Sequence, residues 1–91
     1  MKKAVKLTIS GNVQGVFFRA YIKQEADKLN IKGYVRNIEN GNVETGFEGN
    51  NEDVEKMIEV CRKGAPHSVV REVVIEERKF EGLKDFRILH I

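Results

Sequence analysis

The segment from Gly11 to Arg19 has residue types that suit the binding of an anion. It contains two glycines and no acidic residue, and the arginine follows Gly15 by four positions. Backbone N–H groups in such a turn can converge on an anion, and a helix that begins there favours negative charge through its dipole. The helix predicted to begin near Phe18 has no Ser, Thr, Asp or Asn immediately before it to cap its first N–H groups. From these residues alone, the segment is either an anion-binding loop or a tight turn whose N–H groups are solvated.

Hydrophobic periodicity places this segment between a strand and a helix. Apolar and polar residues alternate over residues 5–10, which is the pattern of a half-buried strand. Apolar residues then recur at helical spacing from Phe18 to Leu29, and Asn30 is predicted to end that helix. Alternation returns over residues 31–36 and predicts a second strand.

The second half of the chain is predicted to add two more strands, a helix and a short terminal strand. Asn40-Gly41 is the strongest turn signal, because both residues tolerate the positive φ that a two-residue type I′ hairpin requires. Alternation over residues 43–47 predicts a third strand beyond it. The further predicted elements are a second helix with Asn51 as its N-cap and Gly64 at its end, a fourth strand over residues 69–76 and a terminal strand over residues 86–91.

This order of elements predicts the fold class. It reads β-α-β-β-α-β with a short extra C-terminal strand. Two amphipathic helices must both cover one face of an antiparallel sheet, and right-handed crossovers then give an α+β, ferredoxin-like βαββαβ sandwich. Residues 1–91 are expected to form a single domain, since a chain of 91 residues has no room for a second core.

The predicted topology brings Arg19 and Asn37 to one end of the sheet. The glycine segment follows the first strand at that end, and Asn37 lies at the same end, where the second strand stops. Strand three is expected between strands one and two, so their ends are about 10 Å apart, or two strand spacings. An arginine side chain and a small phosphorylated molecule can span that gap.

Two motifs in the sequence resemble the signatures of a known family. The first reads Ile9-x-Gly11-x-Val13-Gln14-Gly15-Val16-x-Phe18-Arg19, and the second reads Gly33-Tyr34-Val35-Arg36-Asn37-x-x-x-Gly41-x-Val43 and continues to Gly49. Both are similar to signatures of the acylphosphatases. They occur in the expected order, and the resemblance covers essentially the whole chain.

The resemblance implies an enzyme that hydrolyses the carboxyl–phosphate bond of acyl phosphates to a carboxylate and inorganic phosphate. It implies that Asn37 orients the attacking water and that Arg19 holds the phosphoryl oxygens, for which its planar fork is suited. Backbone N–H groups contribute to the same binding, from Gln14, Gly15, Val16, Phe17 and Phe18. No cofactor or metal is implied, because the arginine and the amides can supply the positive charge.

The proton acceptor stays open at this point. A neutral amide such as that of Asn37 can hold a water but cannot take its proton near neutral pH. A phosphate oxygen of the substrate is one candidate, and the carboxylates of Glu39 and Glu44 near the hairpin are the alternatives.

Two other functions compete with hydrolysis. A non-catalytic phosphate-binding or regulatory acylphosphatase-like module could keep the loop, although both Arg19 and Asn37 are present here. RNA-recognition domains share the element order but carry basic and aromatic residues on their third strand. Residues 43–48 are acidic instead and include one aromatic, Phe47.

The composition argues against several classes of binding partner. The net charge of +2 comes from 16 basic and 14 acidic residues, which is too balanced to indicate a nucleic-acid or membrane surface. No apolar run has the eighteen or so residues of a membrane span. Cys61 is the single cysteine, and His67 and His90 are too far apart in sequence to suggest a metal site. His67 is interpreted as a solvated loop residue and His90 as structural or exposed. We expect a cytoplasmic monomer that acts on a small molecule.

Overall fold

A computed structural model describes residues 1–90 and confirms the predicted fold class. The helices are α1 (Val16–Lys28) and α2 (Asn51–Lys63), and the strands are β1 (Lys2–Asn12), β2 (Lys32–Asn37), β3 (Val43–Asn50), β4 (Val69–Arg78) and β5 (Phe86–Leu89). Over these residues the strands form one sheet in the order β4-β1-β3-β2-β5. The neighbouring strands are antiparallel except for β2 and β5, which are parallel. The predicted position of β3 between β1 and β2 is therefore right.

The core lies between the sheet and the two helices, which cover one face. Alternate residues of β1 and β3 and one stripe of each helix are buried there; the set includes Val5, Leu7, Ile9, Val43, Phe47, Ile22, Ala26, Val54 and Met57. Helix α1 packs on β2 and β5, and α2 packs on β1, β3 and β4. Burying each large aliphatic side chain contributes about 1.5–3 kcal/mol. This packing fixes the start of α1 beside the ends of β2 and β5.

Strand β1 runs further than the alternation predicted. It extends through Gly11 to Asn12, because β4 pairs with it across a register shift between Ser10 and Gly11. Gly11 has φ 135°, and a Cβ at this position would overlap the backbone carbonyl of Val69. The connection between β1 and α1 is therefore only residues 13–15.

The two turns that follow α1 and β2 use the predicted asparagines. Asn30 has φ 56° just beyond the helix, which confirms it as the stop. Asn40 and Gly41 both have positive φ, and the Asn42 N–H donates to the Glu39 carbonyl at 3.3 Å. The predicted two-residue hairpin was nevertheless too short. Strand pairing ends at Asn37 and Val43, so the loop spans residues 38–42 and contains a 3₁₀ turn.

Other boundaries differ by a few residues. Helix α1 begins at Val16 rather than near Phe18. Asn50, not Asn51, is the N-cap of α2, and it makes no side-chain capping bond; its Oδ1 accepts from Lys2 Nζ at 3.1 Å instead.

The last two strands also differ from their predicted bounds. Strand β4 continues to Arg78, and β5 ends at Leu89. The predicted last residue of the terminal strand, Ile91, lies outside the described residues. None of the helices over residues 1–90 is long and apolar enough to cross a membrane.

Candidate active site

The connection between β1 and α1 is anchored in the core at one end and against the β2–β3 loop at the other. Val13 is fully buried. The Gln14 side chain lies against Gly41, where a Cβ would come within 2.9 Å of its Oε1. Gly15 has φ 100° and ψ 172°, a conformation that is essentially restricted to glycine. The loop and the hairpin that follows Asn37 are thus in contact, as a shared site requires.

The N-terminus of α1 has no side-chain cap. Its N-cap is Gly15, and its first turn holds no acidic residue, as the sequence predicted. The first N–H groups of a helix lack partners within the helix and bind anions readily. Phe18 is buried in the core, whereas Val16 and Phe17 are 60% and 86% exposed. The backbone of these residues, rather than their side chains, supplies the polar groups at this end.

Arg19 is buried, with 8% of its surface exposed. Its Nε donates to the Gly15 carbonyl, and its Nη1 donates to the Leu89 carbonyl, each at 3.4 Å. Nη1 also lies 3.4 Å from Nδ1 of His90. The side chain therefore reaches from the first turn of α1 to the end of β5.

Within the described part of the chain, no carboxylate pairs with Arg19. Removing a cation from water is unfavourable unless it is paired and hydrogen-bonded. A bound anion would offset this cost.

Asn37 ends β2 on the face that the helices cover. It shares that face with Val35, which is fully buried two residues earlier. The Oδ1 atom of Asn37 is buried and has no hydrogen-bond partner among residues 1–90. An unsatisfied buried acceptor costs about 1–3 kcal/mol. A water molecule held at this oxygen would satisfy it.

The sheet register places the anchor of Arg19 beside Asn37. Strands β2 and β5 are parallel, with Arg36 opposite Leu89, so His90 comes at the level of Asn37. Neighbouring strands are about 4.8 Å apart. The structure thus brings both predicted residues to one end of the sheet, with the arginine held at β5 and the asparagine on the adjacent strand.

Glu44, one of the alternative proton acceptors, lies on the opposite face of the sheet. Its carboxylate accepts from the Tyr34 hydroxyl and pairs with Arg36 at 3.3 Å. Partial burial raises the pKa of Glu44, but the hydrogen bonds from Tyr34 and Arg36 and the charge of Arg36 outweigh burial and hold that pKa below its ordinary value. Burial and the same hydrogen bond raise the pKa of Tyr34 to about 12. Glu44 is therefore a structural acceptor; Glu39 is exposed in the turn.

Leu89 and His90 are the residues at this end that the sequence did not predict. His90 is exposed, which was one of its two interpretations, but its contact with Arg19 was missed. Alternation from Phe86 through Ile88 does place His90 on the helix-covered face, but only the pairing of β5 with β2 brings it to the site. His67 is exposed in the turn before β4. Within residues 1–90, no group of three or more His, Cys, Asp or Glu could hold a metal ion.

The protein is a small α+β protein with a ferredoxin-like sandwich fold. At one end of its sheet it has an uncapped helix N-terminus and a buried arginine, which are features of anion-binding sites. Comparison with known proteins narrows this class. The family model for acylphosphatase matches residues 5–88, and the chain belongs to the acylphosphatase family. The enzyme class predicted from the sequence is thereby confirmed.

Individual relatives are similar over nearly their whole length. The chain is 42% identical to an acylphosphatase of Syntrophus aciditrophicus over 99% of this chain and 95% of that protein. It is 48% identical to one of Syntrophobacter fumaroxidans over 89% and 84%. The structure of an acylphosphatase from Coxiella burnetii superimposes with a TM-score of 0.90 at 34% identity, over 97% of this chain and 93% of that one.

Proposed function

We propose that this chain hydrolyses small acyl phosphates at the site formed by residues 14–18, Arg19 and Asn37. The observation that carries the assignment is the buried guanidinium of Arg19, which pairs with no carboxylate among residues 1–90. A phosphoryl group bound there would place negative charge beside the guanidinium. Family membership supports the reaction, and the site geometry supports the roles of these residues.

Binding of the phosphoryl group uses the loop, the start of α1 and Arg19 together. The backbone N–H groups from Gln14 to Phe18 donate to its oxygens, as at other helix N-termini. Three of the five N–H groups of Arg19 face protein acceptors through Nε and Nη1, and the two on Nη2 serve the phosphoryl oxygens. Fixed donors of this kind stabilise the charge that develops on those oxygens during phosphoryl transfer.

Hydrolysis then requires one positioned water. Asn37 Oδ1 accepts a hydrogen bond from the water and directs a lone pair of its oxygen towards phosphorus. The bond from the water oxygen to phosphorus forms while the bond from phosphorus to the carboxyl oxygen breaks, and the carboxylate leaves with the bonding electrons. The proton of the water passes to a phosphoryl oxygen. A carboxylate is a stable leaving group near neutral pH, so no general acid is needed.

The same proposal covers the partners of the chain. The acidic third strand, with Glu44 and Glu48, does not favour a nucleic acid. Charged residues on the β4 edge, including Arg71, Glu72 and Glu76, disfavour pairing with another sheet. On these grounds we assign a small-molecule substrate and a monomer. From the sequence we also propose a cytoplasmic location and a reaction without a cofactor or metal.

The test is hydrolysis of acetyl phosphate by the unmodified chain and by Arg19→Ala and Asn37→Ala. We expect release of inorganic phosphate by the unmodified chain, and a loss in kcat/KM of about 10²–10³-fold for each variant. Full activity in either variant would overturn the role assigned to that residue. A well-folded chain without activity would favour the non-catalytic, phosphate-binding module instead.

A further inference from the structure

The end of β5 holds one nitrogen of the Arg19 guanidinium from two sides. Nη1 carries two N–H groups, and two acceptors lie 3.4 Å from it: the carbonyl oxygen of Leu89 and Nδ1 of His90. These contacts join residues 70 and 71 positions apart in the chain. The arginine is thus positioned by a strand that belongs to neither of the two sequence motifs.

Without the two contacts at β5, the guanidinium would keep only one acceptor in the described chain, the Gly15 carbonyl. An arginine side chain has several rotatable bonds, and a free one must lose that freedom when it binds a ligand. Fixing the side chain in advance removes this loss from the binding step. Holding Nη1 also leaves Nη2 as the part of the fork directed at an anion.

We propose that His90 is a positioning residue for Arg19, and that it acts through its unprotonated Nδ1 as a hydrogen-bond acceptor. This inference rests on the proposed function of Arg19 as a phosphate ligand. Nδ1 can accept only in the tautomer that carries its proton on Nε2. His90 is exposed and lies outside the hydrophobic core, so its removal is not expected to unfold the protein.

The position of the accepting atom distinguishes among replacements of His90. In asparagine, Oδ1 is bonded to Cγ and can occupy the place of Nδ1. In glutamine, Oε1 lies one bond further out and corresponds to Nε2. Asparagine should therefore preserve the contact with Arg19, whereas glutamine and alanine should lose it.

The experiment compares His90→Ala, His90→Asn and His90→Gln with the unmodified chain. KM and kcat for acetyl phosphate and the inhibition constant of inorganic phosphate are measured for each. For the alanine and glutamine variants, we expect KM and the inhibition constant to rise together by about fivefold to tenfold, as for loss of one hydrogen bond, with a smaller change in kcat. His90→Asn should stay within about twofold of the unmodified chain, on the same reasoning.

Two controls separate this role from a general effect on β5 and from the proposed function. Arg87 is on the same strand, is exposed, and bonds with Asp85, so Arg87→Ala should leave all three constants unchanged. Arg19→Ala reports the proposed function itself. If Arg19→Ala weakens phosphate binding but His90→Ala does not, the positioning role is wrong and the proposed function stands. If Arg19→Ala binds phosphate normally, the proposed function is wrong.

Two further outcomes would overturn the inference. Equal losses in the asparagine and alanine variants would show that no acceptor is needed at the place of Nδ1. A fall in Tm in all three variants, with kcat reduced as much as KM is raised, would mean that His90 supports the fold rather than the guanidinium.

Discussion

Arg36 and Asn37 are neighbours in β2, yet their side chains lie on opposite faces of the sheet. Arg36 pairs with Glu44 at 3.3 Å on the face without helices. Asn37 follows the buried Val35 by two residues, and its Oδ1 is enclosed on the helix-covered face. The alternation of a strand thus separates a charged pair on one face from a neutral amide on the other, whose oxygen has no hydrogen-bond partner among residues 1–90.

Replacing Glu44 should leave catalysis intact. In Glu44→Gln the carboxylate on the open face is lost, but nothing on the side of Arg19 changes. We expect kcat/KM for acetyl phosphate within about threefold of the unmodified chain, far from the 10²–10⁴-fold that removal of a general base costs. Glu39→Gln is the matched variant in the exposed turn. A severe loss in either would identify that carboxylate as the proton acceptor and contradict the transfer to a phosphoryl oxygen.

Glu44 should also make the free energy of unfolding depend on pH. The pKa of Glu44 is lowered in the folded state because the hydrogen bonds from Tyr34 and Arg36 outweigh the effect of burial. A carboxyl of this kind stabilises the folded state above its unfolded pKa, and the contribution is lost as pH falls through the folded pKa.

Urea unfolding of the unmodified chain and Glu44→Gln provides the measurement. The unmodified chain should have the larger free energy of unfolding near neutral pH, and the difference should shrink on acidification below about pH 4.3, the ordinary pKa of a glutamate. A difference that grows in acid would have the wrong sign for a lowered pKa.

Gly11 and Gly15 should respond differently to alanine. A Cβ at Gly11 would overlap the Val69 carbonyl, so Gly11→Ala must separate β1 from β4 and should lower Tm strongly. At Gly15 no atom lies within 4 Å of such a Cβ, but φ is 100°, which costs an L-residue about 1–3 kcal/mol. Relaxation of this strain would turn the loop N–H groups away from their present directions.

Tm and the inhibition constant of phosphate distinguish the two variants. Gly15→Ala should raise the inhibition constant with the smaller loss of Tm, and Gly11→Ala should show the larger loss of Tm. Unchanged phosphate binding in Gly15→Ala would argue against the loop amides as ligands.

Cys61 should be unreactive while the protein is folded. The thiol is fully buried on the inner face of α2, and burial raises its pKa to about 12, so very little thiolate exists near neutral pH. A thiol reagent at about pH 8 should modify it only as fast as the chain unfolds, and quickly in denaturant. Rapid modification of the native protein would mean that α2 opens more readily than its packing indicates.

The local sequence patterns predicted the fold well, because the spacing of apolar residues in each helix and strand follows the face that it buries. Some predicted ends of these elements were wrong because a contact with a distant part of the chain determines them. Strand β1 extends through Gly11 because β4 pairs with it. The Asn50 side chain caps no N–H group and accepts a hydrogen bond from Lys2 instead.

The positions of the residues proposed for the site were predictable to the same extent. Both Arg19 and Asn37 lie in motifs with recognisable spacing, and topology placed them at one end. The face of Glu44 could also have been predicted, since Val43 and Thr45 on either side of it are buried. The contacts of Arg19 with Leu89 and His90 could not have been predicted. They depend on the parallel pairing of β5 with β2, which no local pattern in β5 indicates.

In the proposed mechanism, Arg19 and the loop bind phosphate, and Asn37 makes hydrolysis possible. The most direct test measures binding and turnover in one variant, Asn37→Ala. We predict an inhibition constant for inorganic phosphate within about twofold of the unmodified chain, together with a fall in kcat of at least about 10²-fold. A variant that loses phosphate binding and turnover in the same proportion, or that keeps its kcat, would contradict the division of roles between these residues.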